Sequence, residues 1–183
     1  MKTLILNGSP RKNGDTAFLI ETLCSQLTGE VKVIDCYSAN ISPCTDCRSC
    51  RGQLACCIDD DMQKVYSYLA ECDNVVLASP VHYGEMSAML LKAASRFQVY
   101  SSALIFRHEK LPISAKRGAV ILSQGGSGGA EMAYDTARLV FQSLGIKDIF
   151  PAICSKATDT IPADRDEKAQ ADIISLANRL SQE

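Results

Sequence analysis

The alternation of strand-like apolar runs with helix-like stripes constrains the fold of this chain more than any other feature. Four runs are almost continuously apolar and rich in β-branched residues, which is typical of strands covered on both faces. They are TLILNG near the start, VKVIDC at 31–36, NVVLAS at 74–79 and AVILSQ at 119–124. A weaker fifth run, IFPAIC at 149–154, contains Pro151 and therefore suits an edge strand.

Helical stripes separate these runs along the chain. Apolar residues recur at helical spacing in five segments, which run from Leu19 to Leu27, Met62 to Cys72, Met86 to Phe97, Ala133 to Leu144 and Ile173 to Leu180. Since crossovers between parallel strands are almost always right-handed, the pattern predicts an α/β fold: an open parallel sheet with helices on both faces. The 183 residues suit one ordinary domain, and we expect residues 1–183 to form it.

Charge and composition narrow the classes of partner. The formal net charge is −2, with 19 basic and 21 acidic residues, so we expect a small-molecule ligand and no nucleic acid or membrane partner. The opening MKTLILNGSP lacks the features of an export signal, and no apolar stretch approaches the ~18 residues of a membrane span. We therefore expect a cytoplasmic protein, in which its nine cysteines indicate metal or redox chemistry rather than disulfides.

Three loops follow predicted strands and suit a ligand at the carboxyl ends of the sheet. NGSPRKNGDTAF offers hydroxyls and backbone N–H groups at a helix start, where a phosphate binds well. It lacks both the P-loop and the GxGxxG signatures. SPVHYGEMSA and SQGGSGGAE combine proline, glycine and small residues that allow a flat ring to approach the backbone.

Taken together, these motifs resemble a known family. GSPRKNGDTAFLI, ASPVHYGEMSAMLLK, DDDM before a helix and SQGGSGG are similar to the NADPH-dependent FMN reductases and iron-sulfur flavoproteins of the flavodoxin-like superfamily. The resemblance implies a flavodoxin-like three-layer sandwich with a five-stranded parallel sheet in the order 2-1-3-4-5. It also implies bound FMN, NAD(P)H as cosubstrate, and a homodimer or homotetramer.

The resemblance further implies which residues hold FMN. The phosphate would be bound by Ser9, Arg11, Asn13 and Thr16; the ring and ribityl chain by Pro80, Val81, His82, Tyr83 and Gly84; and the pyrimidine end by Gly125, Gly126 and Ser127. His82 replaces the tyrosine common in the family, and Ser95 stands where an acidic residue is frequent. We name no catalytic side chain, because the flavin carries the hydride chemistry and backbone amides stabilise its reduced form.

A cysteine-rich segment stands apart from these loops. Between Tyr37 and Ile58, the four residues Cys44, Cys47, Cys50 and Cys56 give the spacing C-x2-C-x2-C-x5-C, and Cys57 follows directly. The first three thiolates can converge on one face of a [4Fe-4S] cluster, with a fourth closing the site. Free thiols beside the flavin, zinc bound by four thiolates, and redox disulfides remain open alternatives.

The leading function hypothesis is an FMN-dependent NAD(P)H oxidoreductase of the flavin or quinone reductase type. The alternative is an iron-sulfur flavoprotein that carries electrons through FMN and a [4Fe-4S] cluster on the Cys44–Cys56 segment, exchanging them with a protein donor or acceptor. A receiver-like signalling domain shares the topology, but it requires an acceptor aspartate where this chain has Ser79 and Pro80.

Overall fold

The predicted apolar runs form one central sheet. The computed structural model describes residues 1–182, and its sheet has the order β2-β1-β3-β5-β6, with β7 pairing β5 beyond β6 and β4 pairing β3. All pairings are parallel except that of the short β4. The strands are β1 (Lys2–Asn7), β2 (Glu30–Asp35), β3 (Asn74–His82), β4 (Glu85–Met86), β5 (Arg117–Ser123), β6 (Asp148–Ile149) and β7 (Ile153–Ser155). The predicted order 2-1-3-4-5 is confirmed, with β6 and β7 together in the fifth place.

Two predictions about the strands were wrong in detail. The fifth strand is not continuous over 149–154, because Pro151 has no N–H to donate and the chain leaves the ladder between β6 and β7. The second strand is not covered on both faces. It lies at the edge of the sheet, and Val33 is 41% exposed.

Helices pack on both faces of the sheet and bury its two sets of side chains. Successive residues of β3 alternate between the two cores, with Val75 and Leu77 on one side and Val76 and Ala78 on the other. The helices are α1 (Asp15–Gln26), α2 (Met62–Leu69), α3 (Ala88–Ser95), α4 (Gln98–Ser102), α5 (Glu131–Ser143) and α6 (Glu167–Leu180). The first core includes α2, α3 and α5, and the second includes α1 and α6.

The third helical stripe was predicted over too long a range. Met86 belongs to β4, and α3 begins only at Ala88, where the Ser87 hydroxyl caps it by accepting a hydrogen bond from the Leu90 N–H. Phe97 lies beyond the last residue of α3 and precedes α4, which continues into a π-helical turn at Ala103–Arg107. Short 3₁₀ turns occur at Ser49–Arg51 and Ala163–Arg165. Within residues 1–182, no helix has the length and apolar character needed to cross a bilayer.

Candidate functional site

The carboxyl ends of β1, β3 and β5 open onto one pocket of about 300 Å³. This volume is at the lower limit of the roughly 300–1,000 Å³ common for small-molecule sites. In parallel α/β sheets, ligands bind at this edge, beside the point where the strand order reverses. The lining residues are Ser9, Pro10, Arg11, Gly14, Asp15, Thr16, Pro80, Val81, His82, Ser123, Gln124, Gly125, Thr158 and Asp159.

The start of α1 gives one end of this pocket the character of an anion site. Gly14 is the N-cap residue and provides no side-chain cap, so the first N–H groups of the helix stay available. The Asp15 carboxylate instead accepts a hydrogen bond from the Ala163 N–H at 2.9 Å. Arg11 is exposed beside the helix start, and the buried Thr16 hydroxyl lies 2.7 Å from the Ser123 hydroxyl. The helix dipole and the guanidinium therefore both favour a phosphate here.

A hairpin extends the site beyond the end of the sheet. β3 and β4 pair in antiparallel fashion, with Tyr83 and Gly84 as a two-residue turn at φ 54° and 82°. The Ala133 N–H donates to the Gly84 carbonyl at 3.0 Å, which fixes the turn against α5. Tyr83 is fully exposed at the tip, so this predicted contact of the flavin ring and ribityl chain does not line the pocket.

The glycine loop after β5 is held by a strand-end glutamine. The Gln124 side-chain amide donates to the Gly126 carbonyl at 3.1 Å and also to the Gly128 carbonyl. The backbone N–H of Ala157 donates to the Gly126 carbonyl, and that of Thr158 donates to the Gln124 carbonyl. These bonds occupy carbonyl groups of the loop and leave its amides available for a ligand.

The structure gathers most of the predicted FMN contacts but not all of them. The residues that line the pocket are Ser9, Arg11, Thr16, Pro80, Val81, His82 and Gly125. Asn13 borders the neighbouring depression, whereas Gly84, Gly126 and Ser127 line neither. The sequence reasoning missed Thr158 and Asp159, and the only local signal was their polarity after the fifth strand.

The cysteine-rich segment forms a second pocket, separate from the first. All five of its cysteines line this pocket, together with side chains of α4 and with Arg96. The segment is mostly irregular, apart from the 3₁₀ turn at Ser49–Arg51. Arg107 of the π-helical turn donates to the Cys50 carbonyl, and Arg51 lies over the Phe106 ring at 4.4 Å.

Arg96 is the anchor of this segment and was not found from the sequence. Its guanidinium is fully buried and donates to Asp60 Oδ2 at 2.6 Å, the Ser42 carbonyl at 2.9 Å and the Ile58 carbonyl at 3.2 Å. Burial alone would raise the pKa of Asp60, but hydrogen bonds from Arg96 and two backbone N–H groups hold it below its usual range. Ser95, at the position of the family's acidic residue, accepts a hydrogen bond from the Cys44 N–H at 3.0 Å.

The thiols do not converge on a common point. Cys47 Sγ lies 3.3 Å from Cys57 Sγ, Cys50 Sγ lies 3.3 Å from the Ser102 hydroxyl, and Cys56 Sγ accepts from Arg96 Nη2 at 3.3 Å. Among residues 1–182, no three potential ligands are grouped closely enough to hold a metal ion. The donor set itself, several thiols in one pocket beside a buried cation, suits an anionic cluster.

Local hydrogen bonds and burial divide the cysteines into two types. The hydroxyl and backbone N–H of Ser49, and then the Cys57 thiol, lower the pKa of Cys47 to about 7. The hydrogen bond with Cys47 raises the pKa of Cys57. Burial raises the pKa of both Cys36 and Cys72 to about 12, so these two are inert core thiols.

Comparison with known proteins identifies the family. The model of the NADPH-dependent FMN reductase family matches residues 1–159. The chain belongs to this family. Its members are NAD(P)H-dependent flavin oxidoreductases, so the expected enzyme class and the FMN and NAD(P)H cofactors are confirmed at the level of the family.

Individual relatives agree with this assignment. An iron-sulfur flavoprotein of Methanosarcina thermophila is 32% identical over 136 residues, which are 72% of this chain and 68% of that relative. About a third of that relative therefore lies outside the match. The fold resembles an FMN-dependent NADH-azoreductase of Bacillus anthracis in complex with FMN, with a TM-score of 0.69, 16% identity and full coverage of both chains.

A further solved structure supports the same fold. An NAD(P)H:quinone oxidoreductase of Methanothermobacter marburgensis superposes with a TM-score of 0.69 at 12% identity, over 100% of this chain and 98% of that one. At such identities the likeness concerns the fold alone, and it confirms the flavodoxin-like three-layer architecture.

Proposed function

We propose that this chain is an FMN-dependent NAD(P)H oxidoreductase whose FMN lies along the carboxyl ends of β1, β3 and β5. The observation that carries the proposal is the uncapped start of α1, which opens onto a pocket of about 300 Å³ beside an exposed guanidinium. Family membership supports FMN as the cofactor, and the open helix start supports this position for its phosphate.

In this proposal, Ser9, Arg11 and Thr16 contact the phosphate, with Asn13 at its outer side. Pro80, Val81 and His82 form one wall of the ring site, and the Gly125 turn forms the other. Four residues named from the sequence lie outside the pocket lining: Tyr83, Gly84, Gly126 and Ser127. They would contact FMN only if their loops moved towards the pocket or if part of FMN extended beyond it. When bound, FMN supplies the hydride chemistry, while the chain binds it, orients it and directs backbone N–H groups at it.

Titration of the protein with FMN, with and without the positive charge of Arg11, tests this proposal. We expect Arg11→Gln to weaken FMN binding at least about tenfold, because a hydrogen bond to a charged group contributes roughly 1.5–3 kcal/mol and 1.4 kcal/mol is a factor of ten. Lys12→Gln removes an equally exposed cation that does not line the pocket, and we expect less than a twofold effect, within the roughly ±0.5 kcal/mol typical of surface changes. Quenching of flavin fluorescence measures both. Equal effects of the two substitutions, or no binding by the unmodified chain, would contradict the proposal.

As a second candidate function, we propose electron transfer through FMN and a [4Fe-4S] cluster held by Cys44, Cys47, Cys50 and Cys56. The supporting observation is that these four thiols line one pocket with the buried Arg96. Loading would require Cys47, Cys50 and Cys56 to turn away from their present partners. Such a cluster would exchange electrons with FMN and with a protein donor or acceptor.

Metal analysis of protein purified without oxygen separates the two candidates. The cluster candidate predicts about four irons and four sulfides per chain and a spin-resonance signal after reduction. We expect Cys50→Ser to lose the iron but keep FMN, and Cys154→Ser, outside the segment, to keep both. Absence of iron and sulfide removes this candidate and leaves the FMN proposal intact, while zinc in their place supports the four-thiolate zinc alternative.

We also propose that the whole chain forms a single FMN-binding domain that assembles as a homodimer or homotetramer in the cytoplasm. The continuous sheet and its two cores support the single domain, since each core combines residues from both halves of the chain. Limited proteolysis and light scattering test the domain and the assembly respectively.

A further inference from the structure

Cys57 is the one thiol of the segment that the four-ligand proposal does not use, and it contacts a thiol that the proposal does use. Its Sγ lies 3.3 Å from Cys47 Sγ, and both residues are exposed. Its chain neighbour Cys56 points elsewhere, towards the buried Arg96. The two adjacent cysteines therefore face different partners, and only Cys57 contacts a second thiol.

The backbone around Cys47 is also unusual. Asp46 and Arg48 both have positive φ, at 48° and 64°, so two left-handed residues flank the cysteine. Left-handed conformations at residues other than glycine are uncommon and concentrate at functional sites. Cys47 lies between these two residues, exposed and with its sulfur against that of Cys57.

From this geometry we propose that Cys47 and Cys57 are an oxidisable dithiol that forms a reversible intramolecular disulfide. A disulfide bond is about 2.05 Å long, so the two sulfurs, now 3.3 Å apart, need to approach by about 1.25 Å. The site needs neither FMN nor a metal. Formation of the disulfide withdraws Cys47 from the four thiols proposed for the cluster, so oxidation and cluster loading exclude each other.

The oxidant is a small soluble disulfide, such as oxidised glutathione. One protein thiolate attacks a sulfur of this disulfide, forming a mixed disulfide and releasing the first small thiol. The second protein thiolate then attacks the mixed disulfide, which forms the Cys47–Cys57 bond and releases the second small thiol. Two electrons pass from the protein to the small disulfide, and the two protons of the protein thiols go to the departing thiolates.

The test counts thiols in the full chain after metal has been removed with a chelator and FMN has been supplied. The protein is incubated with excess oxidised glutathione, quenched in acid, unfolded and alkylated. We expect the number of alkylated thiols to fall from nine to seven and to return to nine after dithiothreitol. Trypsin cleaves after Lys32, Arg48, Arg51 and Lys64, so the bond should join peptide 33–48 to peptide 52–64.

Three variants test whether Cys57 is one of the two partners. Cys57→Ser should lose at most one of its eight remaining thiols, as a mixed disulfide of Cys47 with glutathione, and should show no bond between the two peptides, whereas Cys56→Ser and the distant Cys154→Ser should each lose two and still join the same peptides. Nine alkylated thiols in the oxidised unmodified chain would overturn the proposal. It would equally be overturned if Cys57→Ser still lost two thiols, because Cys47 would then be pairing elsewhere. Since no flavin or iron signal is read, failure of the FMN or cluster proposals leaves this result interpretable.

Discussion

The clamp formed by Arg96 and Asp60 predicts a large loss of stability when it is broken. The side chains of Arg96 and Asp60 are 0% and 3% exposed and lie 2.6 Å apart. Arg96→Met keeps most of the side-chain volume but leaves the Asp60 carboxylate buried without its cation. Removing one partner of a buried ion pair costs about 3–5 kcal/mol, a large part of the ~5–15 kcal/mol that stabilises a typical domain.

An exposed pair in the next turn of the chain is the matched control. Lys64 and Asp61 lie 2.7 Å apart, but Lys64 is 74% exposed, so Lys64→Met should cost less than about 1 kcal/mol. Urea unfolding followed by circular dichroism measures both free energies of unfolding. A second readout is cleavage by trypsin after Arg48 and Arg51, which should accelerate only in Arg96→Met, because Arg96 holds the Ser42 and Ile58 carbonyls at either end of the segment.

The refuting result is equally specific. If Arg96→Met and Lys64→Met lost the same small free energy, and trypsin cut both at the same rate, Arg96 would not be the anchor of the cysteine segment. A double variant, Arg96→Met with Asp60→Leu, should recover part of the loss, because no unpaired buried charge then remains.

Three further predictions concern the acid stability, the sheet and the thiols. The pKa of Asp60 is depressed in the folded state, so the ionised carboxylate contributes fully to the free energy of unfolding above the ordinary aspartate pKa of about 4. This contribution is lost as the pH falls further. The free energy of unfolding of Asp60→Asn should therefore fall less steeply below about pH 4 than that of the unmodified chain, as acid unfolding measures. Gly8→Ala should destabilise by about 1–3 kcal/mol in thermal unfolding, because its new Cβ would lie 2.7 Å from Leu90 Cβ; an unchanged melting temperature would refute this. Protein oxidised beforehand should take up less iron on reconstitution than reduced protein; equal uptake after the two treatments would refute this.

Much of the fold could be predicted because its signals are local. The buried β1, β3 and β5 appear in the sequence as continuous apolar runs, and the positions of the intervening helices follow from their stripes. The errors arose where local pattern and tertiary position differ. VKVIDC has the composition of a central strand but lies at the sheet edge, and Met86 matches a helical stripe but pairs with Val81 in the hairpin.

The candidate site was predictable to the extent that it follows the strands. Loops at the carboxyl ends of β1, β3 and β5 meet by topology, so Ser9, Pro80 and Gly125 could be placed together before any coordinates. The role of Arg96 could not be predicted in this way, because its partner Asp60 lies 36 residues away and a single arginine in an apolar stripe carries no local signal. The contact between Cys47 and Cys57 could not be predicted either, because it joins residues ten apart in a mostly irregular segment that has no periodic pattern.

The position of FMN along the carboxyl ends of the parallel strands can be observed in a crystal structure of the protein grown with saturating FMN. We expect the phosphate within hydrogen-bond distance of the first N–H groups of α1, with Arg11 beside it, and the ring between the Pro80 and Gly125 turns. FMN bound elsewhere on the chain, or that pocket without FMN at saturation, would contradict this expectation.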